Sequence, residues 1–241
     1  MRSLISVIAV TILIATLGSG LALAQSSGNF SGSYFEAACA INTASVTAGG
    51  TQTFTGGVCT NNASDGTCEI LNTGVKTSSG SGVTLLIQPS GVTGLYTDTK
   101  VSNTITTSTA EIGIQVCVTV DGSAKYVEGG DANGCAIYDE RLQQVSQNFL
   151  AGVAQVATCS TTAGSTNTCF LDFLQATLSA HSYNFIAQVP NGYHNVRATW
   201  SIVNVNASAS AGGTVGACLG PGNVLVTQTK VFNNSGAILS F

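Results

Sequence analysis

A chain of 241 residues with seven lysines and arginines against eleven aspartates and glutamates carries little charge for its size. A nucleic-acid groove needs clustered Lys and Arg to neutralise phosphates; Lys76, Lys100, Lys125, Arg141, Arg197 and Lys230 are scattered singly, which excludes nucleic acid as a partner. The polar surface must be built from Ser, Thr, Asn, Gln and Gly, over a chain long enough for one substantial core.

Residues 1–24 read as a signal peptide. Arg2 supplies a positive start, Leu4 to Leu17 is an apolar run too short to span a bilayer comfortably, and Ala22-Leu23-Ala24 fits the small-residue cleavage rule. No second long apolar run follows. The expectation is a secreted or cell-surface protein that is not an integral membrane protein once the leader is removed.

All eight cysteines lie beyond the leader, and an even count in an exported chain reads as a disulfide framework. No C-x-x-C pair marks a metal site. The tightest spacings, Cys59 to Cys68 and Cys159 to Cys169, enclose turn-rich loops with nothing large to pin them to a core, so each is expected to be bridged. Of the three pairings left to the other four, Cys117 with Cys135 and Cys39 with Cys218 is the one expected.

Residues 25–68, rich in Ser, Gly, Thr and Ala, give faint strand signals at Ser33 to Phe35 and Thr51 to Thr55. They read as an N-terminal arm or edge strands, and residues 69–241 as the main domain. From Glu69, the segments EILNTGVKTS, VTLLIQ and GLYTDTKV are bounded by Gly, Ser or Pro and read as three short strands. The next strand is the clearest in the chain. Ile112, Ile114, Val116, Val118 and Val120 share one face, while Cys117 points to the other. Asp121-Gly122 then turns the chain back, and a three-residue loop that includes Ser123 is expected, because it puts Ala124 and Tyr126, not Lys125, on the buried side.

Residues 136–157 mix helical and strand spacing; the reading is strand to about Gln147, then a turn of helix. Thr168 is positioned to cap a short helix carrying Phe170, Leu171, Leu174 and Leu178. His181 to Val203 then reads as a hairpin about Asn191-Gly192. Its expected pairs run from Pro190 with Tyr193 through Val189 with His194 to His181 with Ile202. One face holds Tyr183, Phe185, Ala187, Val196, Ala198 and Trp200; the other is polar apart from Ile186. The segment NVLVTQTKVF is a further strand. The terminal Phe241 resembles the closing strand of bacterial outer-membrane barrels, but eight cysteines and scattered aromatics weigh against a barrel. The fold class is therefore all-β: an antiparallel β-sandwich, jelly-roll or Ig-like, of about 8–10 strands with at most one or two short helices.

Chemistry-bearing residues are few. In the expected hairpin register His181 and His194 lie roughly 26 Å apart, at about 3.3 Å per residue, too far to share a metal or a triad. Hydrolase, zinc-protease and phosphate-loop motifs do not occur. Asp139-Glu140-Arg141 places neighbouring carboxylates on opposite faces of a strand. The loop Glu128 to Gly134 offers Asp131 and Asn133 as a weak calcium candidate without EF-hand spacing. Glycosylation triplets stand at Asn29, Asn62, Asn206 and Asn233. The expected function is a structural or surface-associated extracellular role with no catalytic residues and no cofactor. The alternative is a glycan- or surface-binding module using Tyr34, Tyr96, Tyr138 or Tyr193 as stacking platforms, with a glycan or cell-surface component as partner. An enzyme ranks below both. An open apolar edge strand would favour the first reading, and exposed aromatics grouped together the second.

Overall fold

Period-two alternation dominates the chain, and in the computed structural model it becomes strands almost throughout. The structure describes residues 29–43, 54–55, 67–77, 83–102, 107–146, 148, 170–207 and 214–229. The expected leader and the expected turn of helix after Gln147 lie outside these residues. Among the described residues twelve strands, two or more beyond the number expected, form two antiparallel sheets packed face to face, open and not closed into a barrel.

The larger sheet contains β1 (Phe30–Phe35), β2 (Ala38–Thr43), β3 (Phe54–Thr55), β5 (Val83–Ser102), β7 (Val127–Glu128), β9 (Phe170–Ser182), β10 (Phe185–Val189) and β12 (Thr214–Thr229). Its two long central strands, β5 and β12, pair along most of their length. Beyond β12 lie β2 and β1, one after the other; beyond β5 lie β10 and β9 in the same manner. The smaller sheet has the order β4 (Cys68–Lys76), β11 (Tyr193–Ala207), β6 (Thr107–Val120) and β8 (Cys135–Ser146). The segment expected as an arm or edge thus supplies β1 to β3 to the edge of the large sheet.

The core is the meeting of the two inner faces. Ile112, Ile114, Val116, Val118 and Val120 of β6 are wholly buried, as the alternation requires, against Leu85 and Ile87 of β5, Phe185 and Ala187 of β10, and Val226 of β12. Trp200 is the largest of the fully buried side chains.

Four local expectations are corrected. His181 to Val203 is not a hairpin: β10 pairs with β5 and β7 in the large sheet, and β11 with β4 and β6 in the small one. Pro190-Asn191-Gly192 is an arch between sheets, and Asn191 lacks the positive φ that a type I′ turn demands. The inner face is as expected from Phe185 to Val189 and from His194 to Ile202, because an arch and a hairpin impose the same alternation; only the partners differ. Pro190, Tyr193 and Tyr183, expected on that face, are exposed, Tyr193 to 71% and Tyr183 to 39%.

Asp121 (φ 53°) and Gly122 (φ 75°) form a two-residue turn closed by the Val120–Ser123 bridge, not a three-residue loop. The alternation argument assumed that the chain continues back along β6. It leaves instead for β7 in the other sheet, and Tyr126 is exposed.

VTLLIQ and GLYTDTKV are one strand, β5, running through Pro89. On that side β10 ends opposite Ile87 and β9 begins opposite Ser90, so the missing proline N–H falls where no ladder partner is required. Finally, the expected helix at 168–178 is strand β9, paired with β5 over all its 13 residues. Leu174 and Leu178 satisfy helical spacing, but with Ala176 and Ala180 they also satisfy a period of two, and the β5 edge decides.

Candidate functional site

Both disulfides fully described by the structure are the ones expected: Cys39–Cys218 and Cys117–Cys135. Each joins directly opposed residues of neighbouring strands, with Cα atoms 4.0 and 3.9 Å apart, and ties an outer strand (β2 or β8) to a central one. Cys68 is also disulfide-bonded. Its expected partner Cys59, and the pair Cys159 and Cys169, lie outside the described residues.

The two histidines belong to separate clusters, and the register on which their separation was reckoned does not form. His194 is buried, with Nδ1 2.7 Å from Asp121 Oδ2 and Nε2 2.8 Å from the Pro190 carbonyl oxygen. The ring thus bridges the Asp121 carboxylate and the Pro190 carbonyl, one nitrogen to each. The Asn195 N–H donates to the other Asp121 oxygen at 2.8 Å. Partial burial raises the Asp121 pKa, but the bonds from His194 and Asn195 and the His194 charge outweigh it and hold the carboxyl below its ordinary value. Thr77 completes the clamp: its backbone N–H donates to the Gly192 carbonyl at 2.7 Å, and its hydroxyl accepts from the Gly192 N–H at 2.9 Å. This cluster locks the arch to the β6 turn and holds no nucleophile.

His181 approaches Asp139, Nε2 to Oδ2 at 3.5 Å, and the buried Thr93 hydroxyl donates to the same oxygen at 2.6 Å. The carboxylate stands between hydroxyl and imidazole, the reverse of the order in which a histidine activates a nucleophile. Arg141 and Gln143, next along the inner face of β8, donate to the Gln175 and Phe173 carbonyls of β9, each at 3.1 Å. The side of the sandwich beneath β9 is thus filled by polar groups, of which His181 Nε2 is buried without a hydrogen-bond partner.

The calcium candidate is an ordinary turn: Asp131 Oδ1 accepts from the Asn133 and Cys135 N–H groups at 2.8 and 2.9 Å. Among the described residues no group of three or more His, Cys, Asp or Glu side chains is placed to hold a metal. Of the glycosylation triplets, Asn62 and Asn233 lie outside the described residues, and Asn206 is on β11. Asn29 already spends its Nδ2, the atom a glycan would occupy, on the Lys76 carbonyl and on Gln228 Oε1. Of the four tyrosines, Tyr138 is buried with its hydroxyl donating to the Pro89 carbonyl at 2.7 Å, and burial pushes its phenol well above the ordinary value. Tyr193 is exposed and lies across Gly74, where a Cβ would meet its ring. Tyr96 borders the groove described next, and Tyr34 stands exposed on β1.

What remains open is the outer face of the large sheet and one of its edges. Among the described residues β9 pairs only with β5, leaving its other edge free. Leu174 and Leu178 on it are 60% and 80% exposed. Beside them an apolar groove of about 740 Å³ runs over Gly94 and Gly216, walled by Leu178, Tyr96 and the Cys39–Cys218 bridge. A second groove of about 530 Å³, uncharged and lined by both polar and apolar side chains, lies farther along the same face, over Gly32 and Leu225 between Tyr34, Gln88, Ser90 and Asn223. Sequence reading missed both, although Leu174-x-Ala176-x-Leu178-x-Ala180 carried the signal for the first. No family model matches the chain, and no curated protein matches it significantly.

Proposed function

We propose that the protein is an extracellular, disulfide-stabilised structural protein that acts without catalysis, by associating with copies of itself through β9. The free edge of β9 carries this reading. Among the described residues this 13-residue strand pairs with β5 alone, and a strand edge offers a row of backbone donors and acceptors that is normally blunted by lysine, proline, a bulge or a cover. Phe170–Ser182 contains no lysine, arginine or proline, and its pairing with β5 runs without a register shift.

The edge is also self-complementary. A second copy pairing antiparallel about Ala176 sets Leu174 of each copy opposite Leu178 of the other on the outer face, a closed two-fold contact that extends the sheet and covers both leucines. The low charge of the chain supports the same role, since little repulsion opposes the approach of copies. The disulfides and the expected leader support an extracellular setting.

Size and mass analysis of the oxidised mature chain over a range of concentrations tests this. The expected result is a dimer or larger species that Leu174→Lys and Leu178→Lys each shift to monomer without lowering the unfolding temperature. A wild-type chain that stays monomeric at its highest soluble concentration, or lysine variants that associate as well as the parent, would remove the proposal.

A further inference from the structure

The second groove points to a ligand, independently of the β9 edge. Registers across four strands set Tyr34 of β1 opposite Asn223 of β12, Asn223 opposite Ser90 of β5, and Ser90 opposite Ser182 of β9. Directly opposed residues share a face, and Tyr34, Asn223 and Ser182 are exposed, so the four side chains form one straight row across the outside of the large sheet. At about 4.8 Å between strands the row is roughly 14 Å long. In the next row Leu225, 42% exposed, stands between Gln88 and Gly32, so that Gly32 adds no side chain of its own beside Tyr34 and a leucine adds an apolar patch to the floor.

The row is uncharged, polar along three strands and aromatic at one end. Ser90 and Ser182 share a hydrogen bond at 2.9 Å, and Gln88 Nε2 donates to Ser182 Oγ at 3.3 Å, so the floor is a linked set of hydroxyls and an amide. The Asn223 amide, with a donor and an acceptor side by side, faces solvent. Tyr34, 82% exposed, stands at one end as an apolar ring face with a polar tip. None of the residues lining the groove is charged. A phosphorylated, sulfated or uronic-acid ligand would find no cation there. A peptide strand would find no free backbone ladder on a sheet face, because its donors and acceptors point along the sheet to neighbouring strands. A neutral sugar chain fits both halves of the site: the C–H face of one ring against Tyr34, and the hydroxyls of the following rings on Asn223, Ser90 and Gln88.

We infer that this row is a binding site for a neutral oligosaccharide, with Tyr34 as its stacking platform. The test is titration of the oxidised mature chain with cello-, malto-, laminari- and chito-hexaose, with a hexauronate as the charged control. At least one neutral hexaose is expected to bind, with no binding of the hexauronate. Tyr34→Ala should weaken that binding tenfold or more, and Asn223→Ala and Gln88→Ala severalfold, with unfolding temperatures unchanged because all three side chains lie on the outer face. Leu178→Lys, which tests the β9 edge, should leave sugar affinity unaltered, so failure of either proposal is seen separately. Absence of binding to every neutral hexaose, preference for the hexauronate, or full affinity in Tyr34→Ala would overturn the inference.

Discussion

Trp200→Ala measures whether the aromatic row of β11 is core or display. Trp200 is 1% exposed, lies opposite Val116 of β6 and Cys68 of β4, and belongs to the continuous core between the sheets. Truncating a buried aromatic loses its transfer free energy and leaves a cavity, together about 3–5 kcal/mol. In a domain of this size each kcal/mol lowers the unfolding midpoint by about 2–4 °C, so the expected fall is roughly 6–20 °C. The control is Arg197→Ala on the opposite face of the same strand. Its Nε donates to Glu69 Oε2 at 2.6 Å, but the arginine side chain is 36% exposed, so screening and side-chain entropy limit the loss to about 1 kcal/mol or less. Chemical and thermal denaturation of the two variants under oxidising conditions supply the comparison. A Trp200→Ala midpoint equal to the parent's, or a greater loss in Arg197→Ala, would show that the faces of β11 are reversed and that the tryptophan is displayed.

The two cross-strand disulfides should differ in worth. In the chain-entropy account, replacing both cysteines of the Cys117–Cys135 pair, 18 residues apart, costs about 3 kcal/mol, and those of the Cys39–Cys218 pair, 179 apart, about 5 kcal/mol. Equilibrium denaturation of the paired Ala variants tests the order, and a reversed order would mean that native contacts, not loop closure, set their value. The Asp121–His194 clamp should appear in the acid limb of stability. Asp121 is held below its ordinary pKa of about 3.9, so its contribution is complete above that pH and disappears as pH falls through the lower folded value. Wild type should therefore exceed Asp121→Asn at neutral pH and converge with it on acidification; a gap that stays constant down to pH 2 contradicts the clamp.

The limits of sequence reading follow from what a period of two encodes. It assigns residues to faces, so the inner rows of β6, of β10 and of β11 from His194 to Ile202 were legible, as was the outward direction of Cys117, while Tyr193 at the start of β11 was expected inside and lies outside. It says nothing about which strand lies alongside. Asn191-Gly192 therefore read as a hairpin where the chain crosses between sheets, and the same ambiguity hid the departure of Ser123 to β7. The Leu174–Leu178 spacing suited a helix because nothing local announces that β5 extends far enough to template a strand there. The His194–Asp121 pair, too, depends on the β6 turn coming beneath the arch, a tertiary fact invisible in the spacing of either residue.

The same reasoning explains why function was less legible than fold. Most candidates drawn from residue type alone turn inward: His194, the acidic loop and the tyrosine at 138 are hydrogen-bonded within the molecule and His181 lies against Asp139, while Tyr34 alone of them reappears in a proposed site. The groups on which the proposals rest are ordinary residues whose meaning comes from position: two leucines beside a strand edge that, among the described residues, pairs with β5 alone, and an asparagine and a serine set in line with a tyrosine by the register of four strands. Both features lie on the large sheet, and β9 contributes to each through Leu178 and Ser182, four residues apart on the same outer face. Pairing of copies about Ala176 would bring two sugar rows onto one continuous sheet. A ligand with repeated units would then be held at two points, and the second contact would act at the effective concentration set by the dimer, strengthening attachment to a polysaccharide without any new contact.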